Sequence, residues 1–374
     1  MKEIFLTFLY LSIIFKSNFI LLPIIKKLKG NNKKNLVIGV IDRYSWIKVK
    51  PFFISYIKSN FKNCDCVIFY RNINDDTLNR IRSLGIIMLE IPKQYNRMKI
   101  NNARFKIYED YLNDKLDKYN IVLHADVRDT YFQKDIFKFY KIKKQFIGLA
   151  LEDGNLTQKF NRNWIKGQYG NEIYEELKNK IIICSGTIWG TADIFLEMAK
   201  FIWKEIEKKS SNSQTILDQS SENYLIYHKN MFNDCKITSD IYSGPVMTVG
   251  LSNKNFSYDS EDNLLNLKGD IAAVIHQYDR KPKIVEIVKK KFIDIPYDIV
   301  LNDLMASKNN EDDYIYIKFI IYILIIIIII IIIIFISGRI YLKHKLKNIK
   351  KKQQKTIKKN EKRKEYEKVK ILKL

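Results

Sequence analysis

From residue 35 onward, short uncharged apolar runs alternate with longer segments whose apolar positions recur every three or four residues. Leu36–Ile41, Cys66–Tyr70 and Ile86–Ile91 are rich in β-branched and aromatic residues and predict strands. Between them, residues 47–61 carry apolar side chains at helical spacing with Pro51 near the first turn. Leu78, Ile81 and Leu84 form a second helical face, opened by a cap at Asn74–Thr77 and closed by Gly85. A helix from about Arg97 to Asp117, with Phe105, Tyr108, Leu112 and Leu116 on one side, leads into the buried run Ile121–Leu123. Further on, Phe146–Leu151 and Ile181–Trp189 read as strands, residues 190–206 as an amphipathic helix, Lys208–Gln214 as a polar loop and Leu217–Tyr227 as a shorter helix. Residues 236–295 read as short strands and loops that close the domain. Strand–helix alternation of this kind predicts an α/β domain built on a mostly parallel, doubly wound sheet.

The two ends follow a different pattern. Phe319–Ile336 is an unbroken apolar stretch dominated by isoleucine, long enough to cross a bilayer as a helix of about 20 residues. Acidic residues 311–313 precede it and Arg339, Lys343, Lys345 and Lys347 follow, so the positive-inside rule predicts a cytosolic tail and a main domain on the other side. Near the start, Phe5–Phe15 has the length of a signal-peptide core, while Phe19–Ile25 continues the apolar character past Lys16. A cleaved signal gives a single-pass type I protein; a retained anchor gives two spans. The expected organisation is a signal peptide or anchor at 1–25, a domain at 35–300, a linker at 301–316, a span at 317–338 and a basic tail at 339–374.

Composition changes this picture in one respect. The formal charge of +24 invites a nucleic-acid partner, but residues 339–374 hold sixteen Lys or Arg against three Glu, and residues 1–34 hold seven Lys against one Glu. Only +5 is left for the 304 residues between, so no phosphate-tracking surface is required and no nucleic acid is expected. The tail reads as a sequence that lies against anionic lipid headgroups. Cys64, Cys66, Cys184 and Cys235 show no zinc spacing, and in an oxidising compartment some pairing is open to them. The triplets Asn155-Leu156-Thr157 and Asn255-Phe256-Ser257 fit a glycoprotein domain in the secretory pathway.

The chemistry concentrates at residues 119–133, YNIVLHADVRDTYFQ. A buried strand there ends in Asp126, Val127, Arg128 and Asp129. Two carboxylates at the carboxyl end of a buried strand call for a cation, and in open α/β sheets ligands bind at that end. A divalent metal holding a diphosphate fits; a solvated acidic turn with Arg128 pairing a neighbour fits as well.

HADVRDTYFQKDIF resembles the Asp-x-Asp region of GT-A type glycosyltransferases, in the Asp-x-Arg-Asp variant. ICSGTIWG at 183–190, DQSSENYLIY at 218–227 and VIHQYDRKP at 274–282 resemble further stretches of such enzymes in the same order. The resemblance covers roughly residues 35–295. It implies a GT-A fold, a Mn²⁺ or Mg²⁺ cofactor, a UDP- or GDP-sugar donor, and a glycan, glycoprotein or glycolipid acceptor in the Golgi or endoplasmic reticulum. Asp129 is the first choice of direct metal ligand and Asp126 a second ligand or a ribose contact, a division of labour that the resemblance leaves open. His276 occupies the place of a histidine that completes the metal site, although the His-x-x-Gly-x-x-Lys-Pro pattern of one such family is missing here.

Donor contacts fall on Arg104, on Arg128 and on Asp42, Arg43 and Tyr44 after the first strand. Asp218 and Gln219, with Asn223, resemble the Asp-Gln-x-x-x-Asn run of retaining families; Glu152 and Asp153 are the alternative base. Ser185, Gly186, Trp164 and Trp189 resemble an acceptor wall. Plainer readings stand beside these: Asp218 as a helix cap, the tryptophans as core, Arg104 as a solvated helix face. A non-catalytic membrane receptor or lectin-like protein on a degenerate transferase fold is the competing function.

Overall fold

The computed structural model describes residues 33–140, 144–209 and 215–371. The N-terminal apolar segment and most of the loop ending at Gln214 lie outside them.

The first half of the domain follows the sequence pattern closely. Strands β1 (Lys34–Asp42), β2 (Cys64–Arg71) and β3 (Ile87–Glu90) alternate with helices α1 (Trp46–Lys58) and α2 (Asp75–Ser83). The Asn74 side chain caps α2 by accepting the Thr77 N–H, and Gly85 (φ 80°) supplies the left-handed residue that ends it. Helix α3 (Ile100–Asn113) is shorter than its apolar pattern, because 3₁₀ turns at Lys93–Tyr95 and Leu116–Lys118 take up the flanks. It leads into β4 (Tyr119–Ala125), and β1 pairs in parallel with both β2 and β4. Asp65 locks the far end of this sheet, accepting Lys34 Nζ at 2.7 Å, Lys118 Nζ at 2.6 Å and the Tyr119 hydroxyl at 3.1 Å.

The second half departs from a simple doubly wound sheet. β5 (Thr130–Phe132) follows the acidic turn; β6 (Ile147–Asn155), α4 (Lys159–Leu177), β7 (Ile181–Thr191), α5 (Ala192–Lys209) and α6 (Asp218–Tyr227) come next. Short strands β8 (Lys236–Ser239), β9 (Val246–Thr248) and β10 (Val274–His276) precede α7 (Pro282–Val288). The sheet order is β3-β2-β1-β4-β7-β6-β9-β10-β5, with β8 also on β6. β7 runs antiparallel to both β4 and β6, so the sheet is mixed. The cause lies in α4, which breaks at Gly170 (φ 89°) into an outward and a returning half. The chain comes back to the end of β6 it had left, and Asn155 pairs with Ile181. The first part of β6 pairs with β8 and its end, at Glu152, with β9, which curls the sheet.

One irregularity builds the site. Leu149 pairs with Ile188, but Leu151 pairs with Ile183, so the intervening residues of β7 bulge from the ladder. The Asn223 side chain from α6 fills the gap, accepting the Ile183 N–H at 3.0 Å and donating to the Ile183 carbonyl at 2.8 Å. α3, α5 and α6 cover one face, with Tyr108, Phe195, Ile202 and Leu225 in the core they share with β1, β4 and β7. All four cysteines are free thiols.

Residues 302–371 form a separate unit and continue helix α8 (Tyr297–Ile371). The backbone of the segment read as a linker, 301–316, is helical, as suits a stretch without Gly or Pro. Ile323–Lys355 is long and apolar enough to cross a membrane, overlapping the predicted span.

Candidate metal centre

Two strand exits converge here. β4 delivers Asp126, whose N–H donates to the Gly186 carbonyl on the β7 bulge at 2.8 Å. Asp129 sits immediately before β5, whose first residue, Thr130, pairs with His276 at the end of β10. Antiparallel pairing at that position brings the carboxylate and the imidazole to one spot. His276 Nε2 lies 3.5 Å from Asp129 Oδ1 and 3.8 Å from Asp126 Oδ2, and the three ligand atoms fall within 4.8 Å of one another. Two oxygens and one imidazole nitrogen form a donor set that suits Mn²⁺ or another borderline divalent ion.

The fit can be tested on the structure itself. His276 Nε2 is buried and makes no hydrogen bond, an orphan position a cation would satisfy. Gly186 has no side chain where one would intrude: a Cβ there would sit 2.6 Å from His276 Nε2 and 2.9 Å from Asp126 Oδ2. The space between the three ligands is kept open by glycine.

Charge around the centre is divided between the two faces of Asp126. Its Oδ1 accepts Arg104 Nη1, with His124 Nε2 at 3.7 Å, while Oδ2 faces His276. Arg104 is fully buried; its Nη2 bonds Asp218 Oδ2 and reaches the Ser185 carbonyl at 2.8 Å and hydroxyl at 3.2 Å. Burial alone would raise the Asp126 pKa, but Arg104 and His276 outweigh it and hold the carboxyl well below its ordinary range. Burial dominates at Asp218, which is raised despite the same guanidinium, with repulsion from Asp126 adding to it. Burial and Arg104 push His124 down to about 3, so its ring is neutral; the Tyr108 hydroxyl sits 3.0 Å from its Nδ1. Asp129 is paired by Arg128 at 2.8 Å, which also reaches Asp279 at 3.4 Å. Burial lowers the His276 pKa, but Cys184, Asp129 and Asp126 reverse this and hold it well above the ordinary value. A proton and a metal therefore compete for the same nitrogen.

Above the centre opens a cavity of about 360 Å³, within the range of small-molecule sites. The structure gathers thirteen of the sixteen expected site residues on its lining: Asp42 and Tyr44 after β1, Arg104, Asp126, Arg128 and Asp129, then Glu152, Trp164, Ser185, Gly186, Asp218, Gln219 and His276.

Three expected residues are elsewhere. Arg43 turns outward in a left-handed conformation (φ 63°) with its side chain 75% exposed, bracing Asp42 from outside at 3.3 Å. Asp153 follows Glu152 on a strand, so its side chain takes the opposite face. Trp189 is core: fully buried, it packs against Tyr140 and Gly148, some 13 Å along β7 from Ser185 at about 3.3 Å per residue. Two others line the cavity in altered roles. Asp42 is held by Arg71 Nη2 at 2.8 Å and Asn72 at 3.0 Å. Leu217 and not Asp218 is the N-cap of α6, but Asp218 Oδ1 accepts the Gln219 N–H in the first turn at 2.8 Å while its Oδ2 binds Arg104.

Among the lining residues that the sequence pattern missed, five bear on the chemistry: Phe160, Asn161, Cys184, Gln277 and Arg280. Asn161 accepts Gln219 Nε2 at 2.8 Å. Gln277 has a left-handed backbone (φ 58°), accepts Arg280 Nη1 at 2.9 Å and donates to Glu152 at 3.4 Å. Glu152 thus faces the cavity with two amides, from Gln219 and Gln277, as its hydrogen-bond donors. Phe160 is 67% exposed beside Trp164, the ring centroids 6.0 Å apart. A scan of protein-family models finds no match to this chain, and a search of curated proteins finds none either.

Proposed function

We propose that the chain is a metal-dependent glycosyltransferase of the GT-A kind, moving a sugar from a nucleotide donor to a carbohydrate-bearing acceptor. The observation that carries this reading is the convergence of Asp126, Asp129 and the orphaned His276 nitrogen at the floor of a polar cavity beside the carboxyl ends of β1 and β4.

These three side chains would hold Mn²⁺ or Mg²⁺, which when bound neutralises the diphosphate of a departing nucleotide. The remaining roles belong to the chain. Tyr44, at the exit of β1, is placed to stack on the nucleotide base, and Arg280, whose partner is an amide and not a carboxylate, to meet donor phosphate. Arg104 and Asp218 position Asp126. Glu152, a buried carboxylate with no cationic partner among the described residues, is the group facing the reacting sugar. Phe160 and Trp164 offer aromatic surface at the rim for an acceptor sugar. The apolar helix supports a membrane anchor, and this reading assigns the domain to the Golgi or endoplasmic reticulum lumen and the basic tail to anionic cytosolic lipid.

The test is donor turnover by the purified full chain in detergent micelles, screened over UDP- and GDP-sugars with Mn²⁺, beside Asp129→Ala. Metal-dependent hydrolysis or transfer that disappears in the variant supports the enzyme. A folded chain that neither binds metal nor turns over any donor would leave the receptor reading in its place.

A further inference from the structure

The metal-centre reading leaves the buried Cys184 without a role. Cys184 lies on the β7 bulge, directly behind His276, with its Sγ 3.5 Å from His276 Nδ1. A second donor reaches the same sulfur: Gln277 Nε2 at 3.7 Å. The orientation of that amide is fixed independently, because Gln277 Oε1 accepts Arg280 Nη1 at 2.9 Å, so the NH₂ group must be the one that faces the thiol. The left-handed backbone at Gln277 (φ 58°) swings this side chain back over the cysteine. Sγ thus accepts the Gln277 N–H, and in the tautomer with the proton on Nδ1 it accepts from His276 as well.

Resting on the metal-centre reading, we infer that Cys184 is the positioning residue of the centre: its sulfur accepts the Nδ1–H of His276 and thereby turns the Nε2 lone pair toward Asp126 and Asp129. Metal-bound histidines ordinarily donate their second N–H to a carboxylate, carbonyl or water, which fixes tautomer and ring orientation. Here a thiol fills that place. Gly186 completes the arrangement from the other side, since its missing Cβ leaves room for the ring next to Asp126.

The experiment measures Mn²⁺ affinity of the full chain in detergent micelles, by calorimetry and by the resonance signal of free Mn²⁺, for wild type, Cys184→Ala and Cys184→Ser. Thermal unfolding of each confirms an intact fold. The expected result is a loss of about 10–100-fold in Mn²⁺ affinity for the alanine variant and recovery to within about threefold by serine, which keeps an acceptor at the same position. A packing role alone predicts no such rescue. Alanine binding Mn²⁺ as wild type does, or serine failing as badly as alanine, overturns the inference and leaves the metal centre standing. Wild type that binds no Mn²⁺ overturns the metal centre and this inference together.

Discussion

Gly186→Ala adds a single methyl group where β7 bulges toward the metal centre. Its Cβ would lie 2.6 Å from His276 Nε2 and 2.9 Å from Asp126 Oδ2, where ordinary contact begins at 3.4 Å. The imidazole must retreat by about 1 Å and the carboxylate by about half that. Metal ligands hold their distances to within about 0.2 Å, so the displacement is several times the tolerance of a working site. The backbone at Gly186 is outside the left-handed region, and alanine meets no conformational objection there. The cost to stability is that of mild overpacking, about 1–3 kcal/mol, read as roughly 2–4 °C of melting temperature per kcal/mol. Mn²⁺ affinity, measured on the full chain by calorimetry, is expected to fall at least as far as when a supporting group is removed, about 10–100-fold. A variant that melts near wild type and binds Mn²⁺ within about threefold of it would refute the placement of the metal between these residues.

Arg104→Met strands Asp126 and Asp218 in the interior, and breaking such buried pairs costs about 3–5 kcal/mol; thermal unfolding should show the drop, and adding Asp218→Asn should restore part of it. An additive double variant would sink that coupling. Asp65, although burial opposes its charge, has a lowered pKa through Lys118, Lys34 and Tyr119. Its stabilisation is present above the unfolded value near 3.9 and fades as pH falls through the lower folded value, so Asp65→Asn should be the less stable chain at pH 7 and converge with wild type only as pH falls below that folded value. Arg280→Met should raise the donor KM by about 10–100-fold, one charge-assisted bond, with Mn²⁺ affinity unchanged; an unchanged KM would remove Arg280 from the donor site. Phe160→Ala should weaken acceptor KM by roughly 3–10-fold and leave donor hydrolysis intact, and equal effects on both would place the ring outside the acceptor path.

What could be read from the chain depended on whether the signal was local. β1, β2, β4 and their helices carry continuous apolar runs or a clean helical stripe, so both the elements and the acidic exit at Asp126–Asp129 were legible. α4 was not, because KFNRNWIKGQYGNEIYEEL holds few apolar residues, two glycines and several polar ones, and Phe160 and Asn161 went unnoticed with it. The antiparallel entry of β7 depends on the break at Gly170, which no periodicity announces. Cys184 faces the site only because the β7 register slips beside it, and Gln277 only because its backbone is left-handed; both are tertiary facts. Trp189 and Asp153 failed for the opposite reason: motif proximity in sequence ignored strand length and alternation.

Arg104 touches Asp126 at the exit of β4, Ser185 on the β7 bulge and Asp218 at the head of α6, from its own place on α3. One guanidinium therefore serves as a shared keystone for four segments of chain. In evolutionary terms the site is poorly divisible. A lineage that lost Arg104 alone would pass through an ancestor whose Asp126 and Asp218 carboxylates lack their shared cation, so that divergence must proceed by paired replacements, or through prior gains in stability elsewhere that make the single step survivable. The rim residues carry no such linkage, and Phe160, exposed at the mouth, is free to drift one residue at a time. Descendants of this chain should therefore differ first in what they accept and last in how the centre is assembled.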